Sequence, residues 1–135
     1  MKKLFVTSLV FAMFSFAFSA QASEFGELRT KLSAARESLI EMMLHKDKRG
    51  PAQQKLVKNT ADAVSAQLAK MKAPAGKEAQ FKELKENWTA FKNTRETELV
   101  PAILKGNDDL AKKIAGGIQK ERYTKCQKIT SELDN

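Results

Sequence analysis

Four stretches of the chain repeat apolar residues at alternating spacings of three and four, and short runs rich in Gly or Pro separate them. A stripe of that period lies along one face of an α-helix and has to be covered by another element. The first stretch, residues 24–45, carries Phe25, Leu28, Leu32, Ala35, Leu39 and Met42, with Ile40 and Met43 flanking them. Residues 47–51 (Asp-Lys-Arg-Gly-Pro) end it, because Gly suits a helix C-terminus and Pro the first turn of the next helix. The second stretch, residues 52–71, aligns Val57, Ala61, Val64, Leu68 and Met71, and its alanines allow a neighbour to approach closely.

Ala73-Pro74-Ala75-Gly76 breaks the pattern again. The third stretch, residues 77–105, repeats it with Phe81, Leu84, Trp88 and Phe91. Pro101 lies inside that stretch, where a missing N–H predicts a kink in the last turns. Gly106-Asn107-Asp108 makes a very short connection, with a C-terminal Gly and a polar N-cap. The fourth stretch, residues 108–133, puts Leu110, Ile114, Ile118, Ile129 and Leu133 on its inner stripe, and Gly116-Gly117 either weakens its middle or admits a close neighbour. Strand signals are absent. The expected fold is all-α, an antiparallel up-down-up-down four-helix bundle. A dimer of long helices is the competing arrangement, against which the Gly50-Pro51 and Pro74-Gly76 breaks argue for hairpin turns.

The bundle occupies residues 23–135. Ahead of it, residues 1–22 read as a cleavable signal peptide: Lys2 and Lys3, an apolar run from Leu4 to Phe18, and the small-residue site Ala20-Gln21-Ala22. That run is shorter than the roughly 20 residues a spanning helix needs, so the mature domain is expected to be soluble, without a membrane span, and periplasmic. Five of the eight Phe lie in this leader, which leaves a core built mainly from aliphatic residues. Loss of Lys2 and Lys3 lowers the net charge from +8 to +6. A basic surface favours anionic partners, but Lys and Glu are interleaved throughout, as on solvated helix faces, and nucleic acid is not an expected partner. With Cys126 as the only cysteine, no internal disulfide can form; a homodimer bridged by it is compatible with an oxidising compartment.

Function is sought where the stripe breaks its own rule, since polar groups in a bundle core are costly unless paired or used. Arg95 stands four residues after Phe91, and Arg122 four after Ile118, so both point inward. Folding back at Gly106 brings Arg122 level with Phe91, Cys126 with Trp88 and Arg95 with Ile118. The two arginines are then one helical turn, about 5.4 Å, apart in height, beside Trp88, Phe91 and Tyr123. A cationic pocket with aromatic walls suits a small organic anion, because guanidinium binds carboxylate in a fork. The alternative is that they extend to solvent or pair with Glu96, Glu98 or Glu121.

His45, the one histidine, closes the first helix and reads as a cap rather than a ligand. Met42, Met43 and Met71 read as core filler. Cys126 is a weak metal candidate, more simply a small buried hydrophobe. The chain carries no C-x-x-C-H, H-E-x-x-H, phosphate-binding Gly loop or G-x-S-x-G, so no resident cofactor and no enzymatic activity are expected.

The strings Glu86-Asn87-Trp88-Thr89-Ala90-Phe91-Lys92, Ile103 to Ala111, and Gly117-Ile118-Gln119-Lys120-Glu121-Arg122-Tyr123 resemble the periplasmic four-helix-bundle sensor domain of methyl-accepting chemotaxis receptors. Ala34-Ala35-Arg36 through Met42-Met43-Leu44, and Asn59-Thr60-Ala61, are compatible with it. The resemblance implies a free-standing module that binds a small anionic ligand or docks on a membrane receptor or partner helix, and it directs attention to first-helix arginines, where Arg29 and Arg36 stand. Such receptors continue into membrane helices and a cytoplasmic coiled coil, which residues 1–135 do not include. The chain also resembles the soluble cytochrome b562 family: Arg122-x-x-x-Cys126 matches its Arg-x-x-x-His spacing, with Cys replacing the haem-binding His and Leu28-Arg29 where the Met ligand is expected. That resemblance implies an electron-transfer protein with haem held through a Cys126 thiolate. A chaperone or adaptor using its helical faces is the third alternative.

Overall fold

The computed structural model describes residues 23–135, and the signal peptide expected at residues 1–22 lies outside them. Helix α1 is Glu24–Leu44, and the Ser23 hydroxyl accepts the Gly26 N–H at 3.0 Å to cap it. A 3₁₀ turn, Lys46–Lys48, leads to α2, Pro51–Lys70, with Pro in its first turn. The third rod is α3, Glu78–Thr94, a π turn, Arg95–Leu99, and α4, Val100–Leu104. The fourth is α5, Asp108–Gly116, and α6, Ile118–Leu133. No strand occurs among the described residues, so the fold is all-α with four helical rods. None of their helices is long and apolar enough to cross a membrane.

The third rod answers Pro101 with a local widening just before it. An α-helical proline ring collides with the carbonyl four residues earlier. Here the preceding turn widens to π geometry, with the Val100 N–H bonded to the Arg95 carbonyl. The extra residue carries Arg95 and Leu99 into the interior. The rod then ends in a Schellman closure: Gly106 N–H donates to the Ile103 carbonyl (3.0 Å) and Asn107 N–H to the Ala102 carbonyl (2.9 Å). Gly106 has φ of 76°, a conformation a Cβ would make costly.

The fourth rod departs from its expected stripe. Leu110 and Ile118, placed inside by the sequence period, are 42% and 45% exposed, and Ile114 is only half-buried. Gly117 leaves helical geometry (φ −100°, ψ −112°), which shifts the phase between α5 and α6. The face that reaches the core is therefore Ala111 on α5 and Gln119, Cys126, Ile129 and Leu133 on α6.

The core divides in two. Near the chain ends, Phe25, Leu28, Leu32, Val64, Phe81, Leu84, Trp88, Phe91, Ile129 and Leu133 form one cluster. Near the Gly50 and Gly106 turns, Leu39, Met42, Val57, Leu99, Ala102, Ile103 and Ala111 form a smaller one. A polar layer lies between them: Arg95 bonds the Ala35 and Val57 carbonyls, Ser38 pairs with Thr60 (2.9 Å), and Gln119 donates to the Phe91 carbonyl (2.9 Å). Every buried side-chain polar atom among the described residues has a partner, as a low-dielectric interior requires. At the rod ends Arg29 pairs with Asp134 (2.9 Å), and Arg49 pairs with Asp108 (3.0 Å) while donating to the Met42 and Met43 carbonyls that close α1.

Candidate functional site

The two arginines point inward as their spacing requires, yet they do not form a shared anion pocket. Arg95 is 1% exposed, and its two terminal nitrogens donate to the Ala35 carbonyl of α1 and the Val57 carbonyl of α2, each at 2.6 Å. Helical carbonyls keep a free lone pair, so these bonds satisfy the guanidinium without a counter-ion. Burial lowers its pKa to about 10, against the pull of nearby Glu96, and it stays charged at neutral pH. Arg95 borders a groove of about 290 Å³ facing α2, but Glu96 lines it too, Lys58 is paired with Asp62, and the terminal nitrogens of Arg95 are committed to carbonyls.

Arg122 lies on the opposite side of α3, where one nitrogen donates to the Thr94 hydroxyl (2.7 Å), the Gln119 side chain (3.0 Å) and the Ala90 carbonyl (3.3 Å). The expected level with Phe91 holds. Those three acceptors, one of them a helix carbonyl, all share that one nitrogen, on the side of α3 away from Arg95.

The three expected aromatic walls are packing elements. Trp88 stacks on Phe91 with ring centres 5.5 Å apart and bonds Ser65 of α2 through its indole N–H (3.0 Å). Phe91 and Tyr123 are tilted against each other at 6.5 Å. Cys126 is buried, accepts from Asn87 at 3.0 Å, and burial pushes its thiol up to about 11 despite that hydrogen bond. It is a protonated thiol at neutral pH. No group of three or more His, Cys, Asp or Glu among the described residues could hold a metal ion. His45 is the C-cap of α1, with its ring 3.9 Å from the Glu41 carboxylate.

The structure opens a different site. A cleft of about 180 Å³ runs between α1 and the fourth rod, with Phe91 and Leu99 on its floor. Arg36, Leu39, Ile40 and Met43 form the α1 wall, one helical face at spacings of three and four. Opposite stand Lys112, Ala115, Gly116 and Gln119. The cleft exists because Ala115 and Gly116 put almost no side chain into the gap: a Cβ on Gly116 would meet nothing within 4 Å. Gly116 therefore leaves space, and the crowding at Gly117 is with its own rod rather than a neighbour: an added Cβ would lie 2.8 Å from the Lys113 carbonyl.

Among the described residues, Arg36 and Lys112 are the only charged ones lining the cleft, and neither is paired with a carboxylate. The Arg36 guanidinium lies over the Tyr123 ring, 4.9 Å from its centre, held by cation–π attraction. Of the residues singled out by sequence, the cleft takes Phe91 in its floor and Tyr123 beneath Arg36. Lys112 had no signal to mark it among interleaved lysines; Arg36 was marked only by its place on the first helix.

No family model matches the chain, and neither a curated protein nor a solved structure matches it.

Proposed function

We propose that this is an exported, non-enzymatic binding protein of sensor type, an antiparallel up-down-up-down four-helix bundle that holds a small organic anion in the cleft between α1 and α5. The end-to-end pairs Arg29–Asp134 and Arg49–Asp108 support the antiparallel order, since they join the start of α1 to the end of α6 and the end of α1 to the start of α5. The leader-like residues 1–22 support export. One observation carries the ligand class: an apolar cleft whose only charged lining groups are two cations without a carboxylate partner. A mostly apolar pocket with a small number of polar groups that fix orientation is the usual form of a small-molecule site. The carboxylate of a bound acid would supply the missing counter-charge.

The test compares thermal stabilisation by octanoate and suberate with that by octanol. The acids are expected to raise Tm and the alcohol to leave it unchanged. A Cβ at Gly116 meets nothing within 4 Å, so Gly116→Leu is expected to fold, with its side chain occupying the cleft, and to lose the shift. Persistence of the shift in that variant, or no shift with any acid, would overturn the reading.

A further inference from the structure

The cleft is charged at its ends and apolar between them. Its α1 wall runs from Arg36 to Met43, about 10 Å at the α-helical rise, and its opposite wall from Lys112 to Gln119 across the break at Gly117. Tyr123, just beyond Gln119, lies under Arg36, while Arg49, just beyond Met43, meets Asp108 ahead of Lys112. The two walls therefore run in opposite directions, and the cations stand at opposite ends. Side chains lean towards the N-terminus of their own helix, which carries Arg36 and Lys112 further apart. Leu39, Ile40, Phe91 and Leu99 occupy the space between. Arg36 is also held in place: the Tyr123 hydroxyl accepts from Gln127 (2.8 Å) and lies 3.2 Å from Ser33, which fixes the ring beneath the guanidinium.

Resting on the anion-binding reading above, we infer that the ligand has two heads. It is a straight-chain α,ω-dicarboxylate whose methylenes lie along the trough, with one carboxylate at Arg36 and the other at Lys112. A monocarboxylate leaves one cation without a partner, and a short diacid cannot reach across a trough of about 10 Å. The apolar middle accepts methylenes and offers no charge to a polar substituent there.

Isothermal titration calorimetry on the purified protein decides the matter with matched pairs, suberate against octanoate and sebacate against decanoate, and succinate as the short diacid. The diacid of each pair is expected to bind at least about tenfold tighter, the gain of one charge-assisted hydrogen bond, and succinate to bind more weakly than either. Arg36→Gln and Lys112→Gln, both at solvent-accessible positions, should each erase the advantage of the second carboxylate. Equal affinity within each pair, or succinate binding as tightly as sebacate, overturns the two-headed ligand and leaves anion binding standing. No binding by any of the five acids overturns both.

Discussion

The half of the molecule around Trp88 and the half that ends at the Gly50 and Gly106 turns use the same four rods to different ends. Near the chain ends the helices are regular, and Phe25, Phe81, Trp88 and Phe91 fill the space between them. Phe25 and Phe81 meet edge to face, 6.4 Å between centres, and Trp88 stacks on Phe91. Near the turns the core side chains are aliphatic, the third rod widens into a π turn, the fourth breaks at Gly117, and a cleft stays open. The comparison teaches where such a bundle can hold a ligand: in the half whose side chains are too small to close the gap.

The same substitution made once in each half gives the largest test. Leu84 and Leu99 are both essentially buried, but Leu99 already borders the cleft. Leu84→Ala should cost about 4–5 kcal/mol, because it opens a sealed cavity, and Leu99→Ala only about 2–3 kcal/mol. Equal losses in urea denaturation would break the comparison. Cys126 then sharpens it from the aromatic side. Its folded pKa of about 11 lies above that of an unfolded thiol, so the unfolded chain releases its proton first. The stability this contributes is complete below about pH 8.5 and is lost as pH rises through 11. The wild type should lose about 1–2 kcal/mol more than Cys126→Ala between pH 8 and about pH 10.

The two adjacent glycines provide the smallest effects, of opposite sign. Gly117→Ala should destabilise by about 1–2 kcal/mol, since its Cβ meets the Lys113 carbonyl. Gly116→Ala, in helical geometry with open space around it, should stabilise by about 0.5–1 kcal/mol. If both stabilise, the break between α5 and α6 is not held by close packing at Gly117.

The rods and their breaks were legible because Gly50-Pro51, Pro74-Gly76 and Gly106 mark turns by backbone chemistry alone. The level of α3 against α6 was legible to within a turn: Asn87 donates to Cys126, one residue from where the fold-back at Gly106 places it, and to the Arg122 carbonyl, four residues from its expected level at Phe91. The phase of the fourth rod was not, because a period carried across Gly117 assumes one unbroken helix, and Leu110 and Ile118 face solvent instead. Pro101 marks a lost hydrogen bond, but spacing cannot say whether the chain kinks or widens in response. The arginines expose a further limit. Periodicity tells which way Arg95 points and nothing about the carbonyls opposite. The cleft escaped notice because it is a volume left empty, and only the small size of Ala115 and Gly116 hinted at it.

Arg95 has a consequence for the order of assembly. Its guanidinium loses its water only when carbonyls from α1 and α2 are both in position, so the third rod cannot bury this side chain against either helix alone without leaving a charge half-satisfied. The widened turn that carries Arg95 inward should therefore close late, after the first hairpin has formed. Arg95→Met is expected to change the unfolding rate with little effect on the folding rate, the kinetic mark of a contact absent from the transition state.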